Sequence, residues 1–291
     1  MAADAGVQVT ELGAEDHACL TFGESEELFD LTAAFVRDGL AAGLKVLWVS
    51  DAGPGRAAGE LGRRGVAVEA ALATGQMTAT GCEGGLLSGQ AFRADAAVGW
   101  LAGELASSWS QGFPGLRVAL DMSWALRPVA GIEELPEFEE GIAAALEGST
   151  AAVLCQYDRE RFDPVTLASV AGFHTRAVAA ATYYADALLR ICRQYAPPGI
   201  RIAGELDFQA AGPLGLALAE AIRLGGDIVL NMSALAFVDA RCTLVIADAA
   251  RTIASQSRQV MLRCLPEVAA GFTRIGLADV PGIRLVATGD R

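Results

Sequence analysis

The sequence predicts an α/β protein of two domains, and three observations carry that expectation. Uninterrupted apolar runs bounded by turn residues recur along the first two-thirds of the chain: "KVLWVS" (45–50), "RVALDMS" (117–123) and "AAVLCQYD" (151–158). Runs without polar alternation fit central parallel strands covered on both faces. Between them stand segments with apolar residues three and four apart, the pattern of helices that cross from one strand to the next. The alternation halts at "APPG" (196–199) and restarts in a shorter series. Proline withholds a backbone donor there and glycine permits a turn, so this is the expected linker.

In chain order, "HACLTFG" (17–23) reads as a buried strand and "SEELFDLTAAFVRDGLAAG" (25–43) as a helix. After "KVLWVS" come a helix at "GRAAGELGRRG" (55–65), a short strand at "VAVE" (66–69) and a helix at "ADAAVGWLAGELASSWSQG" (94–112). "RVALDMS" is followed by the acidic helix "GIEELPEFEEGIAAALEG" (131–148) and by "AAVLCQYD". Residues from Val165 to Tyr195 read mainly as helix, with apolar side chains around much of the circumference. Core packing is the default role for such a helix and a homodimer contact the second. Beyond the linker, strands at "IRIAGELD" (200–207), "DIVLNMS" (227–233), "LAFVD" (235–239), "QVMLRCL" (259–265) and "IRLVAT" (283–288) alternate with helices.

Composition narrows the function classes. The 291 residues carry a formal charge of −13, with 53% hydrophobic and 20% charged residues. The apolar fraction supports a sizeable core, and the charge repels nucleic-acid phosphates and anionic membranes. The polar, acidic start is unlike a signal peptide, and no apolar run reaches the length of a membrane span. A cytoplasmic protein is therefore expected. Its six cysteines are scattered without a C-x-x-C pair, which suits small buried thiols in a reducing compartment.

"LTFGESEELFD" (20–30) sets a glycine between a strand and a helix, where phosphate-binding loops lie. The cradle is degenerate: it offers Gly23 alone, lacks a lysine and carries Glu24, Glu26 and Glu27. Each carboxylate within ~4 Å of a phosphate adds repulsion of roughly 1–4 kcal/mol. A capping role for Ser25, with the glutamates facing the helix dipole, explains the segment better. Asp121 stands where nucleotidases keep a magnesium-binding acid, and without a cradle it reads as a strand-end polar residue. Ligands in open α/β sheets gather at the carboxyl ends of strands, so Gly23, Asp121, Trp124, Tyr157 and Arg159 are candidate ligand-binding residues, and His17 is added to them as a polar ligand contact. His17 and Cys19 alternate on one face of a strand, but no spacing brings His174 or Cys155 to them. They read as core or hydrogen-bonded residues; no metal or cofactor is expected. No G-x-S-x-G elbow is present.

"DHACLTFGESEELFDLTAAFVRDGLAAGLKVLWVS" (16–50), "RVALDMSWAL" (117–126), "VLCQYDRERFD" (153–163) and "FHTRAV" (173–178) together resemble the MEDS domain, a sensory domain of regulators in methanogens and methylotrophs. The resemblance spans residues 10–180. It implies a RecA-like parallel-sheet sensor domain that has lost the phosphate-binding lysine and senses a small-molecule ligand or scaffolds a partner. Asp121 stands where the family leads one to expect glutamate, and no proline follows His174.

"IAGELDFQAAGPL" (202–214), "DIVLNMSALAFVDARCTLVIADAA" (227–250) and "QVMLRC" (259–264) resemble the STAS domain of anti-sigma factor antagonists, over residues 200–289. Residues 181–199 are then a helix end and linker. In that family a strand ends in aspartate, two hydroxyl residues follow, and glycine opens a helix. The second hydroxyl takes the phosphate that switches partner binding. Asp239 matches the aspartate, Ala240 and Arg241 fall on the hydroxyl positions, and Cys242 falls on the glycine. Arginine cannot accept the phosphoryl group, and Thr243 lies two residues past the usual acceptor. The resemblance implies a signalling protein, not an enzyme, that binds an anti-sigma factor or related serine-kinase-like regulator through Asp239, Arg241, Cys242 and Thr243. Asp239 is the acid expected to neutralise Arg241 at the helix start. The rival expectations are a nucleotide- or metal-dependent enzyme of the RecA-like class and an oligomeric scaffold.

Overall fold

A computed structural model describes residues 6–88 and 91–288 of the chain. They fall into two compact units, Met1–Ala179 and Ala180–Arg291.

In the first unit β1 (His17–Phe22), α1 (Ser25–Ala41), β2 (Lys45–Val49), α2 (Pro54–Arg63), α3 (Val68–Ala73) and β3 (Met77–Thr80) come first. A small hairpin, β4 (Leu87–Ser88) with β5 (Ala91–Phe92), leads to α4 (Ala94–Ser110), β6 (Leu116–Asp121), α5 (Leu135–Leu146), β7 (Ala151–Asp158), α6 (Pro164–Ala171) and β8 (Arg176–Val178). The six-stranded sheet has the order β3-β2-β6-β7-β1-β8, with every neighbouring pair parallel. Every residue of β2 and β6 is buried. That is why their sequences are continuous apolar runs: helices cover both faces of a parallel sheet. On one face α4 and α5 press Leu101, Phe138 and Ile142 onto Val118, Val153 and Cys155.

In the second unit β9 (Thr182–Ala185), β10 (Leu189–Tyr195), β11 (Pro198–Leu206), α7 (Ala211–Arg223), β12 (Ile228–Val238), α8 (Ala240–Ser255), β13 (Val260–Cys264), α9 (Pro266–Arg274) and β14 (Ile283–Ala287) follow in order. The strands form one mixed sheet, β14-β13-β12-β11-β10-β9, antiparallel only at β9–β10 and β10–β11. Leu214, Leu218, Ile246, Ile253 and Phe272 pack in its core.

Several expectations need correction. The helix read over 165–195 ends at Ala171, and the rest forms β8, β9 and β10. β10 is buried on both faces, with Leu189, Ile191, Cys192 and Tyr195 all enclosed, so its sequence shows no clean alternation. The homodimer contact assigned to that helix loses its helix. "APPG" is the β10–β11 hairpin, and residues 181–199 are sheet in the second unit, not a linker. "VAVE" opens helix α3, and the strand comes later at β3. Ser25 is the first residue of α1, whose N-cap is Glu24 without a side-chain cap. "DIVLNMS" and "LAFVD" are one strand, β12, whose register against β11 is shifted twice. The six cysteines are free and buried, as expected. Among the described residues no helix is long and apolar enough to cross a membrane.

Candidate functional site

The two-residue period of β1 puts His17 and Cys19 on one face, and its register with β7 pairs Cys19 with Cys155 and Thr21 with Tyr157. The same face thus gathers His17, Cys19, Cys155 and Tyr157. Helix α5 crosses that face and lays Glu139 into it, fully buried. His174 arrives from the loop between α6 and β8. Its neighbour Thr175 is tied to His17: the Thr175 amide and hydroxyl both donate to the His17 carbonyl, at 2.8 and 3.0 Å.

Glu139 Oε2 lies 3.0 Å from His17 Nε2 and 3.4 Å from His174 Nε2. The Cys155 thiol donates to the same oxygen at 3.6 Å and stands 3.5 Å from His17 Nε2. Tyr157 donates its hydroxyl to the other carboxylate oxygen, Oε1. The imidazole rings of His17 and His174 have centroids 4.1 Å apart. His174 Nδ1 is 2.8 Å from the Val170 carbonyl, so that nitrogen carries the proton and donates it. His17 Nδ1 and His174 Nε2 are buried with no hydrogen-bond partner.

The electrostatics follow from burial around one acid. Burial pushes the Glu139 carboxyl up, but the His17 hydrogen bond, both histidine charges and Tyr157 outweigh it and hold it below the ordinary carboxylate value. Burial and the Glu139 charge push the Cys155 thiol and the Tyr157 phenol well above their ordinary values. Burial lowers His174 despite the attraction of Glu139. The Cys19 thiol is pushed up to about 12, again by burial and Glu139. One ligand atom from each of His17, Glu139, Cys155 and His174 lies within 4.8 Å of the other three, a donor set able to hold a metal ion.

The six candidate ligand residues do not form one site. His17 and Tyr157 join the cluster just described. Gly23 lies under Arg159, whose guanidinium stands 2.4 Å from where a Cβ at residue 23 would be. Arg159 also reaches the buried Glu27 at 3.7 Å, and Glu27 accepts the Gly23 amide at 3.5 Å. Asp121 is structural: it accepts the Asp51 and Ser123 amides, each at 3.0 Å. Trp124 is enclosed in the core beside Phe92. Glu139 escaped the sequence reading because it lies among Glu137 and Glu140 on an acidic helix. Its helical position was the available signal, for Leu135, Glu139, Ile142 and Leu146 fall on one apolar stripe.

In the second unit Asp239 caps α8. Its carboxylate accepts the Cys242 amide at 2.7 Å, and its carbonyl accepts the Thr243 hydroxyl at 2.7 Å. The buried Cys242 thiol donates to the Asp207 carbonyl at 3.1 Å and is pushed up to about 12 by burial and Asp239. Asp239 therefore serves the backbone, and Arg241, exposed, makes no ion pair with it, contrary to the expected neutralisation. Phe237 and Leu244, four residues before and three residues after Arg241 in the chain, are each 51% exposed, and Phe208 is exposed on the turn that holds Asp207.

Residues 16–175 match the family described as MEDS, "MEthanogen/methylotroph, DcmR Sensory domain", and residues 195–288 match the STAS domain. No curated protein matches the chain. Similar solved structures include the KaiC-like protein PH0186 from Pyrococcus horikoshii OT3, at 12% identity over 66% of this chain and 79% of that one, with a TM-score of 0.45. The flagellar accessory protein FlaH from Methanocaldococcus jannaschii is similar at 10% identity, over 64% of this chain and 82% of that one, also at 0.45. The anti-sigma factor antagonist SpoIIAA in its unphosphorylated form is similar at 24% identity, over 31% of this chain and 78% of that one, at 0.26. The MEDS match takes in more than half of the chain and all four residues of the buried cluster. The chain belongs to the MEDS family and carries a STAS domain after its sensory domain.

Proposed function

We propose that this chain is a cytoplasmic bacterial signalling protein, not an enzyme, whose MEDS domain senses a signal and whose STAS domain binds an anti-sigma factor or related serine-kinase-like regulator. Binding is governed without phosphorylation at the usual serine position. The observation that carries this reading is the start of α8. Asp239 and Thr243 are committed to capping the helix, Ala240 and Arg241 fall on the positions of the two hydroxyl residues, and Arg241 is exposed, as are Phe237 and Leu244 four residues before and three residues after it. An exposed cation in a segment that also exposes apolar side chains suits recognition of an acidic partner surface. In the sensory domain, Arg159 and Glu27 take the space over Gly23, which supports a role in binding rather than nucleotide hydrolysis.

The test is titration of the full chain with a purified anti-sigma serine kinase loaded with ADP or with ATP and magnesium. Arg241→Glu should weaken binding at least tenfold, about 1.4 kcal/mol, while Arg251→Glu, a rim charge paired with Asp248 on the same helix, leaves it near the wild-type value. Intact mass should stay unchanged after incubation with the kinase and ATP. Binding indifferent to Arg241→Glu, or phosphate gained at Thr243, overturns the reading.

A further inference from the structure

We propose that His17, Glu139, Cys155 and His174 bind one divalent transition-metal ion of the zinc class. This site lies in the sensory domain and does not depend on the proposal for the STAS domain.

The donor set comes first. Two imidazole nitrogens, a thiolate and a carboxylate oxygen are the ligands that zinc and its borderline neighbours accept, and four protein donors with no open position make a closed site. The geometry agrees. Zinc bonds of about 2.0–2.3 Å in a tetrahedron place ligand atoms roughly 3.3–3.6 Å apart. Four of the six separations within the cluster are 3.0, 3.4, 3.5 and 3.6 Å, and all six lie within 4.8 Å.

The surrounding groups orient the ligands as metal sites require. Because His174 donates Nδ1–H to the Val170 carbonyl, its Nε2 turns a lone pair inward, toward a carboxylate oxygen 3.4 Å away. Two lone pairs face each other across that gap unless a proton or a cation lies between them. Tyr157 occupies Oε1 of Glu139 and leaves Oε2 for the metal. A surface cavity lined by Glu133, Leu135, Phe162, Asp163 and Val170 lies beside the cluster: Phe162 meets Tyr157 edge to face, and the Val170 carbonyl accepts from His174.

The charge also balances. The ligating forms are a Cys155 thiolate, a Glu139 carboxylate and two neutral imidazoles, so uptake of the cation releases whatever protons these groups hold. The ion's two positive charges then meet one thiolate and one carboxylate, so the buried site is neutral, which is the condition for enclosing charge at acceptable cost.

The experiment uses the full chain stripped with a chelator and titrated with cobalt(II), then with zinc(II). The wild type should saturate at one equivalent of cobalt, with the intense visible bands of four-coordinate cobalt and a thiolate-to-cobalt transition in the near ultraviolet. Zinc should bleach both. Cys155→Ser should lose the thiolate transition, and His174→Gln should lower cobalt affinity at least tenfold. Cys264→Ala, in the other unit, and Arg241→Glu should leave the titration unchanged. No saturable uptake by the wild type, weak six-coordinate bands without the thiolate transition, or a spectrum unmoved in both Cys155→Ser and His174→Gln overturns the site. If Cys155→Ser fails to fold by circular dichroism, the wild-type spectrum and His174→Gln decide the matter. Kinase binding is read separately, so loss of either proposal leaves the other standing.

Discussion

The Asp239 carboxylate accepts the Cys242 amide at 2.7 Å, closing the first turn of α8. A side-chain cap of this kind stabilises a helix by roughly 0.5–2 kcal/mol. Asp239→Ala should lower the urea midpoint of the second unit's transition accordingly, and Asp239→Asn, which keeps an acceptor, should lower it less. Equal losses in the two variants would show that the carboxylate charge matters rather than the cap.

Arg117 is a buried cation that serves two backbone carbonyls. It donates to Phe35 at 2.9 Å and Leu12 at 3.0 Å while its guanidinium lies over the Phe35 ring, 4.8 Å from the centroid. Arg117→Met fills a similar volume but withdraws both charge-assisted bonds, so a loss of about 3 kcal/mol is expected. Arg117→Lys should recover only part of it, because one ammonium cannot reproduce the planar fork. Guanidinium denaturation followed by intrinsic fluorescence is the measurement.

Glu60 gives the pH dependence a sign. Burial raises its carboxyl, but hydrogen bonds and charges from Arg64 and Arg63 outweigh burial and hold it below the ordinary value of 4.5. A folded-state value below the unfolded one means stability that is present above pH 4.5 and lost as pH falls through the folded value. Wild type should therefore exceed Glu60→Gln in melting temperature at neutral pH. That margin should close between about pH 5 and about pH 3. A margin that widens on acidification would contradict the assignment.

Gly204 and Gly271 should respond oppositely to alanine. Gly204 has φ +105°, and a Cβ there would stand 1.9 Å from the Leu188 carbonyl oxygen, a backbone atom that cannot swing aside. Gly204→Ala should cost upwards of roughly 1–3 kcal/mol. Gly271 lies inside α9 with open space around its Cβ position, so Gly271→Ala should stabilise by about 0.5–1 kcal/mol. Calorimetric unfolding of the two variants side by side reads the contrast.

The sequence exposed the parallel sheet well because β2, β6 and β7 are buried on both faces and are mainly apolar, with polar residues such as Lys45, Arg117, Asp121 and Gln156 few and individually partnered. It misled at β10, where burial on both faces of a short strand rich in alanine and leucine neighbours looks the same as a buried helix. The buried cluster was half legible. One strand's alternation linked His17 to Cys19, but Cys155 joins through sheet register, Glu139 through a helix crossing, and His174 through the Thr175 tie to His17. Such relationships are tertiary, and no local spacing encodes them. At the start of α8 the residues Asp239, Ala240, Arg241 and Cys242 could be read directly, whereas the commitment of Asp239 to a backbone amide needed the cap geometry.

The position of β1 sets the order in which the protein can be built. β1 belongs between β7 and β8, so His17 waits for Val153, more than a hundred residues later, before it has a neighbour. Contacts of such long range carry a large loop-closure cost and fold slowly. The second unit is the reverse: each of its strands lies beside the strand that precedes or follows it in the chain. Its short-range pairing closes promptly, while the apolar "HACLTF" strand stays unpaired longest and is the segment of the nascent chain most in need of chaperone protection.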